Sequence, residues 1–86
     1  MSTEYRRGIP SAAHVEAATR LGLLWHARGS DSFCWRFHVV NDDVQLDLQR
    51  TTGRGPLTSI ERARRYRPIR PDGTPVDWEV LDQEAA

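Results

Sequence analysis

Seven arginines crowd into residues 50–70: Arg50, Arg54, Arg62, Arg64, Arg65, Arg67 and Arg70, against a single acid, Glu61. A guanidinium is a planar fork that grips a carboxylate or a phosphate through two hydrogen bonds at once. Clustered arginines beside a glycine-containing loop and Tyr66 can therefore neutralise phosphates, stack on bases or dock on an acidic protein surface. The stretch that follows, residues 71–86, carries Asp72, Asp77, Glu79, Asp82 and Glu84 and no basic residue. Those acids could equally neutralise the arginines within the chain. All 12 basic residues are Arg and none is Lys. A GC-rich coding genome produces that bias as readily as selection for bidentate contacts does.

The other reactive side chains make poorer sets. Cys34, His26 and His38 fall on the polar face of a predicted sheet, with Asp47 nearby. Cys34 and His38 stand four residues apart on one strand, about 13 Å, too far for proton transfer. His26 would face Arg36, and Arg36 would pair with Asp47. A flat sheet face also supplies neither a pocket nor an oxyanion site. No catalytic residue is expected, and the chain reads as a non-enzyme. One Cys and three His without CxxC or HxxxH spacing predict no metal site. His14 falls on the apolar side of a helix and reads as a core-edge residue bonded to backbone. Thr51-Thr52-Gly53-Arg54-Gly55-Pro56 has two glycines but no following Lys-Ser/Thr, and Pro56 removes a backbone donor. It reads as a surface loop, and no cofactor is expected.

The elements that must position these residues are legible from periodicity. Ser11 follows Pro10 as a helix cap, and Ala13, Val15, Ala17, Ala18 and Leu21 share one arc at 100° per residue. Gly22 sits where a left-handed residue ends a helix. The period then changes from 3.6 to 2. Leu23, Trp25 and Ala27 alternate with Leu24, His26 and Arg28; Phe33, Trp35, Phe37 and Val39 with Cys34, Arg36, His38 and Val40; Val44, Leu46 and Leu48 with Gln45, Asp47 and Gln49. The expectation is a three-stranded antiparallel meander with one apolar and one polar face. If Val40 and Asp43 close the second hairpin over Asn41-Asp42, Val39 meets Val44, Phe37 meets Leu46, Trp35 meets Leu48 and His38 meets Gln45. A slip of one residue would break every apolar match. A short helix over Ile60 to Arg65, capped by Thr58 or Ser59, should turn Ile60 inward. Val76, Trp78 and Val80 alternate as a last edge strand, with Trp78 in the core.

At the scale of the chain, 86 residues make one small domain, with residues 1–9 and 83–86 expected to be flexible. Hydrophobic content of 38% and charged content of 28% fit an ordinary globule. Net charge is zero, which excludes a globally basic arm or a globally acidic mimic. No apolar run reaches membrane-spanning length, and one cysteine forms no internal disulfide, so a cytoplasmic location is expected. The predicted fold is α+β: an N-terminal Ala-rich helix on a three- to four-stranded antiparallel meander, with a short second helix. Its core is expected to be Val15, Ala18, Leu21, Leu23, Trp25, Trp35, Phe37, Val39, Leu46, Leu48 and Ile60. Segregated charge on such a domain suits a contact-only protein-binding module, of the kind found among bacterial or phage accessory proteins, inhibitors and anti-defence proteins. Its partner would be an acidic protein surface; nucleic acid is the alternative, and a homodimer through edge strands is open. The first-choice contact set is Arg62, Arg64, Arg65, Tyr66, Arg67 and Arg70. The second is the polar sheet face: Arg28, Arg36, His38, Gln45 and Gln49.

Overall fold

In the computed structural model, residues 3–29, 36–48, 53–55 and 59–86 are described, with backbone alone for 46–48 and 53–55. The fold is α+β: β1 (Arg6–Arg7), α1 (Ala12–Arg20), β2 (Leu24–Ala27), β3 (Phe37–Val40), β4 (Asp43–Leu48), β5 (Gly53–Gly55), α2 (Ser59–Ala63), β6 (Arg65–Ile69) and α3 (Trp78–Ala85). Two antiparallel sheets form, ordered β1-β6-β2 and β3-β4-β5.

Local chemistry sets the ends of α1. The Ser11 hydroxyl accepts from the His14 N–H at 3.2 Å, satisfying one donor of the first turn. At the other end the Gly22 N–H donates to the Thr19 carbonyl and the Leu23 N–H to the Ala18 carbonyl, with Gly22 at φ +72. That is the paired closure a left-handed glycine permits.

The β3–β4 hairpin has the register the apolar pattern predicts: Val40 opposite Asp43, Val39 opposite Val44, His38 opposite Gln45 and Phe37 opposite Leu46. Asn41 and Asp42 take φ values of 51 and 63, the left-handed pair a two-residue hairpin turn needs. The ladder ends at Phe37, so the expected Arg36–Asp47 match does not extend it, and the Trp35–Leu48 match and Cys34 lie outside the described residues.

The rest of the meander differs from expectation. Leu24–Ala27 does not pair with β3; it pairs with β6, Trp25 opposite Pro68, His26 opposite Arg67 and Ala27 opposite Tyr66. Its apolar face meets Tyr66 and Pro68 instead, so both pairings satisfy the alternation and the distant one is adopted. The third strand beside β4 is Gly53–Gly55, part of the segment read as a loop. Pro68 sits inside the central strand of its sheet. Its carbonyl accepts from the Val76 N–H at 2.9 Å, so its donor-less nitrogen faces the side where β1 has already ended and no β2 bond is lost.

The expected last strand is also replaced. Asp77 caps a helix, its carboxylate accepting from the Glu79 N–H at 3.5 Å. Trp78, Leu81 and Ala85 recur at helical spacing and turn inward, while Val80 is 44% exposed. Gln83 and Glu84 lie in this helix.

The core joins both sheets to α1 and α3. Trp25 and Trp78 rings stand 5.4 Å apart, Trp25 and Phe37 6.2 Å, and Phe37 meets Tyr66 edge-on at 5.3 Å. Val15, Ala17 and Ala18 of α1 and Leu81 of α3 close around them. Two expected core members are outside it: Leu21, which follows α1, and Ile60, on α2, at 42% and 67% exposure. Ile60 stays out because α2 buries none of its residues. Tyr66, Trp78 and Leu81 fill the core that these two do not.

Candidate functional site

Strand alternation sorts the arginine segment into two sides. On β6, Tyr66 and Pro68 point into the core, while Arg65 and Arg67 point to the outer face of the first sheet. Tyr66 is fully buried, and its hydroxyl donates to the Glu61 carbonyl at 2.7 Å. It is therefore a core residue and cannot be a contact residue as first expected. Burial, then the negative charge of Glu61, push its phenol up to about 12, against a smaller opposing pull from Arg64. Of the other arginines in the first-choice set, Arg62 is exposed on α2, Arg64 is half-buried just before β6, and Arg70 is exposed beyond its end.

The topology adds arginines the sequence segment did not contain. Arg65 lies opposite Arg7 of β1, and on its other side its carbonyl accepts from the Arg28 N–H at 2.8 Å. Arg7, Arg65 and Arg28 thus form a row across three neighbouring chain segments, all exposed. At the usual interstrand spacing the row spans about 10 Å. Among the described residues, no carboxylate is paired with any of the three.

The next row along the strands is Tyr5, Arg67 and His26. The Arg67 guanidinium lies 4.3 Å from the centre of the Tyr5 ring, and the Tyr5 hydroxyl meets His26 Nδ1 at 2.5 Å. Arg67 also donates to the Thr3 carbonyl at 3.4 Å, while its Nε is buried with no hydrogen-bond partner among the described residues. Cation–π attraction and the hydroxyl bond hold the Tyr5 ring across the strand. His26 thus faces Arg67 and Tyr5, not Arg36.

Two acids of the C-terminal segment, Asp82 and Glu84, are occupied elsewhere, while Asp72 feels the charge of Arg70. Arg6, one residue from Arg7, points to the opposite side of β1, where its guanidinium sits 4.5 Å over the Trp78 ring and 3.3 Å from Asp82. Arg20 pairs with Glu84 at 3.3 Å. His14 Nε2 meets Asp82 at 2.7 Å, and the Ser11 hydroxyl meets His14 Nδ1 at 2.7 Å. His14 is thus bonded to side chains, not to backbone as expected. These contacts staple α3 to α1 and β1 on the core side of the sheet, away from the Arg7–Arg65–Arg28 row. The Ser11–His14–Asp82 line has the residue types of a hydrolytic triad. Its oxygen, however, already caps α1, and Arg6 shares the carboxylate that would have to steady an imidazolium.

The expected second surface is split by the topology. Arg28 lies in the turn just after β2, beside the first sheet; His38 and Gln45 face each other, half-buried, in the second; Arg36 is exposed before β3; and Gln49 lies outside the described residues. No family model, curated protein or solved structure matches this chain. Among the described residues no group of His, Cys, Asp and Glu gathers to hold a metal ion, and no helix is long and apolar enough to cross a membrane. Sequence reading missed Tyr5, Arg7 and His26 as surface partners. Their single signal was the alternation of Tyr5 and Arg7 about Arg6, too short to place a strand.

Proposed function

We propose that this chain is a small non-enzymatic binding module that acts by contact with an anionic partner through the outer face of its first sheet. One observation carries the reading: Arg7, Arg65 and Arg28 stand side by side and exposed, with no paired carboxylate among the described residues. Like charges directly opposite one another weaken a sheet. A face that keeps them is arranged for an anion supplied from outside. Asp82 and Glu84 of the acidic C-terminal segment are committed to Arg6, His14 and Arg20. Both an acidic protein surface and a nucleic acid satisfy this face by charge.

The test is the variant Arg7→Glu/Arg28→Glu/Arg65→Glu compared with wild type on a graded series of anionic probes: a glutamate-rich peptide, an oligonucleotide and inorganic tripolyphosphate. The expected outcome is binding of anionic probes by wild type, loss of it in the variant, and a melting temperature that stays within a few degrees. A variant that binds as wild type does removes this face from consideration.

A further inference from the structure

Resting on that reading, we infer that the anionic partner is a single-stranded nucleic acid, with phosphates along the Arg7–Arg65–Arg28 row and a base against the Tyr5 ring. Three features favour it over an acidic protein. The first is the aromatic pair beside the row, its ring planes tilted by 55°. Tyr5 and His26 adjoin the arginine row, with ring centroids 5.7 Å apart, and Tyr5 is already held by Arg67 and by its hydroxyl bond. A pre-positioned ring beside a cationic track is the combination that binds unpaired bases, since every base offers a π-face.

The second is what the face lacks. Protein interfaces concentrate their energy in apolar and aromatic anchors set in dry pockets. Among the described residues, the exposed large apolar side chains, Leu21, Ile60 and Val80, belong to α1's end, α2 and α3, not to this face. The third is shape. Reading duplex DNA requires a helix or ribbon to enter the major groove. Here α3 packs on the opposite side of the sheet, through Trp78 on Trp25, and α1 packs with it. The row spans about 10 Å, which accommodates adjacent phosphates of a strand lying across the sheet.

Fluorescence anisotropy tests this on the full chain with labelled 12-nucleotide single-stranded DNA and RNA, a 12-base-pair duplex, and a glutamate-rich peptide of matched charge. The single strands should bind more tightly than either other probe. Their log affinity should fall with log salt with a slope of about −2, roughly −0.7 for each of three neutralised phosphates. Arg65→Gln should reduce that slope by roughly 0.7. Tyr5→Leu should weaken binding about tenfold with the slope unchanged, and Tyr5→Phe should retain the stacking and most of the affinity. Circular dichroism of each variant separates lost contacts from lost fold. Peptide binding equal to that of the single strand overturns the nucleic-acid assignment and leaves the anion-binding reading standing. Preference for the duplex, or a Tyr5→Leu variant that binds like wild type, also overturns it. Binding to none of the anions overturns both.

Discussion

Tyr66 and Arg65 are neighbours in sequence and opposites in environment. Arg65 is exposed, and Tyr66 is sealed in the core with its hydroxyl on the Glu61 carbonyl. Removing that hydroxyl in Tyr66→Phe should cost about 1 kcal/mol, read from urea denaturation, because the Glu61 carbonyl loses the nearer of its two donors and keeps only the Arg64 N–H at 3.4 Å. Titration gives an independent check. Burial raises the folded phenol to about 12, above the ordinary value near 10. The neutral form is the one the fold prefers, so this stability is complete below pH 10 or so and is lost as pH rises toward about 12. Wild type should lose stability over that window more steeply than Tyr66→Phe; equal alkaline limbs would contradict the burial argument. Asp82 has the opposite sign. The His14 bond first, and Arg6 second, hold its carboxyl below the usual carboxylate range. Its contribution is present above the ordinary carboxylate pKa and lost as pH falls through the folded value. Asp82→Asn should flatten the acid limb of a stability–pH curve while leaving the alkaline limb unchanged.

At the scale of elements, what sequence revealed depended on how far apart the interacting residues lie. The β3–β4 register was legible because two residues of turn join strands whose apolar residues pair in only one alignment. The ends of α1 were legible because Ser11 and Gly22 act within their own turns. The pairing of β2 with β6 was not, since alternation reports which face a strand buries and not which strand lies beside it. Pro68 obscured β6 further, reading as a breaker although its nitrogen faces no ladder partner. For α3, Val76, Trp78 and Val80 imitate a period of two. The helical set Trp78, Leu81 and Ala85 was present but overlapped it, and Asp77 was the cap that distinguishes them. The candidate face inherits this limit, because its row draws on β1, the end of β2 and β6. One element remains open to improvement. Asp42 carries a side chain at φ 63, where glycine is unstrained. Asp42→Gly should therefore stabilise the hairpin by up to about 1 kcal/mol, seen as a higher urea midpoint with the same slope. A lower midpoint would mean that the Asp42 side chain itself supports the turn.

For the whole molecule, a net charge of zero conceals a division by side. On the core side of the first sheet, Asp82 and Glu84 are matched by Arg6, His14 and Arg20. On the outer side Arg7, Arg65 and Arg28 face solvent together. Each exposed pair on the first side contributes little and weakens with salt. The row, to which no carboxylate is paired among the described residues, acts the other way, since mutual repulsion lowers stability until an anion arrives. Replacing all three with glutamine should thus raise the melting temperature slightly, by the equivalent of about 0.2–1 kcal/mol. Adding a polyanion should stabilise wild type by mass action, because it binds the assembled row and not the dispersed arginines of the unfolded chain. At a hundred times its dissociation constant, tripolyphosphate should contribute about 2.7 kcal/mol, which in a domain of this size is a rise on the order of 10 °C. The glutamine variant should show no such rise at the same concentration, which excludes a general salt effect. If wild type and variant rise together, the anion is acting elsewhere on the molecule, and the division of charge by side has no part in binding.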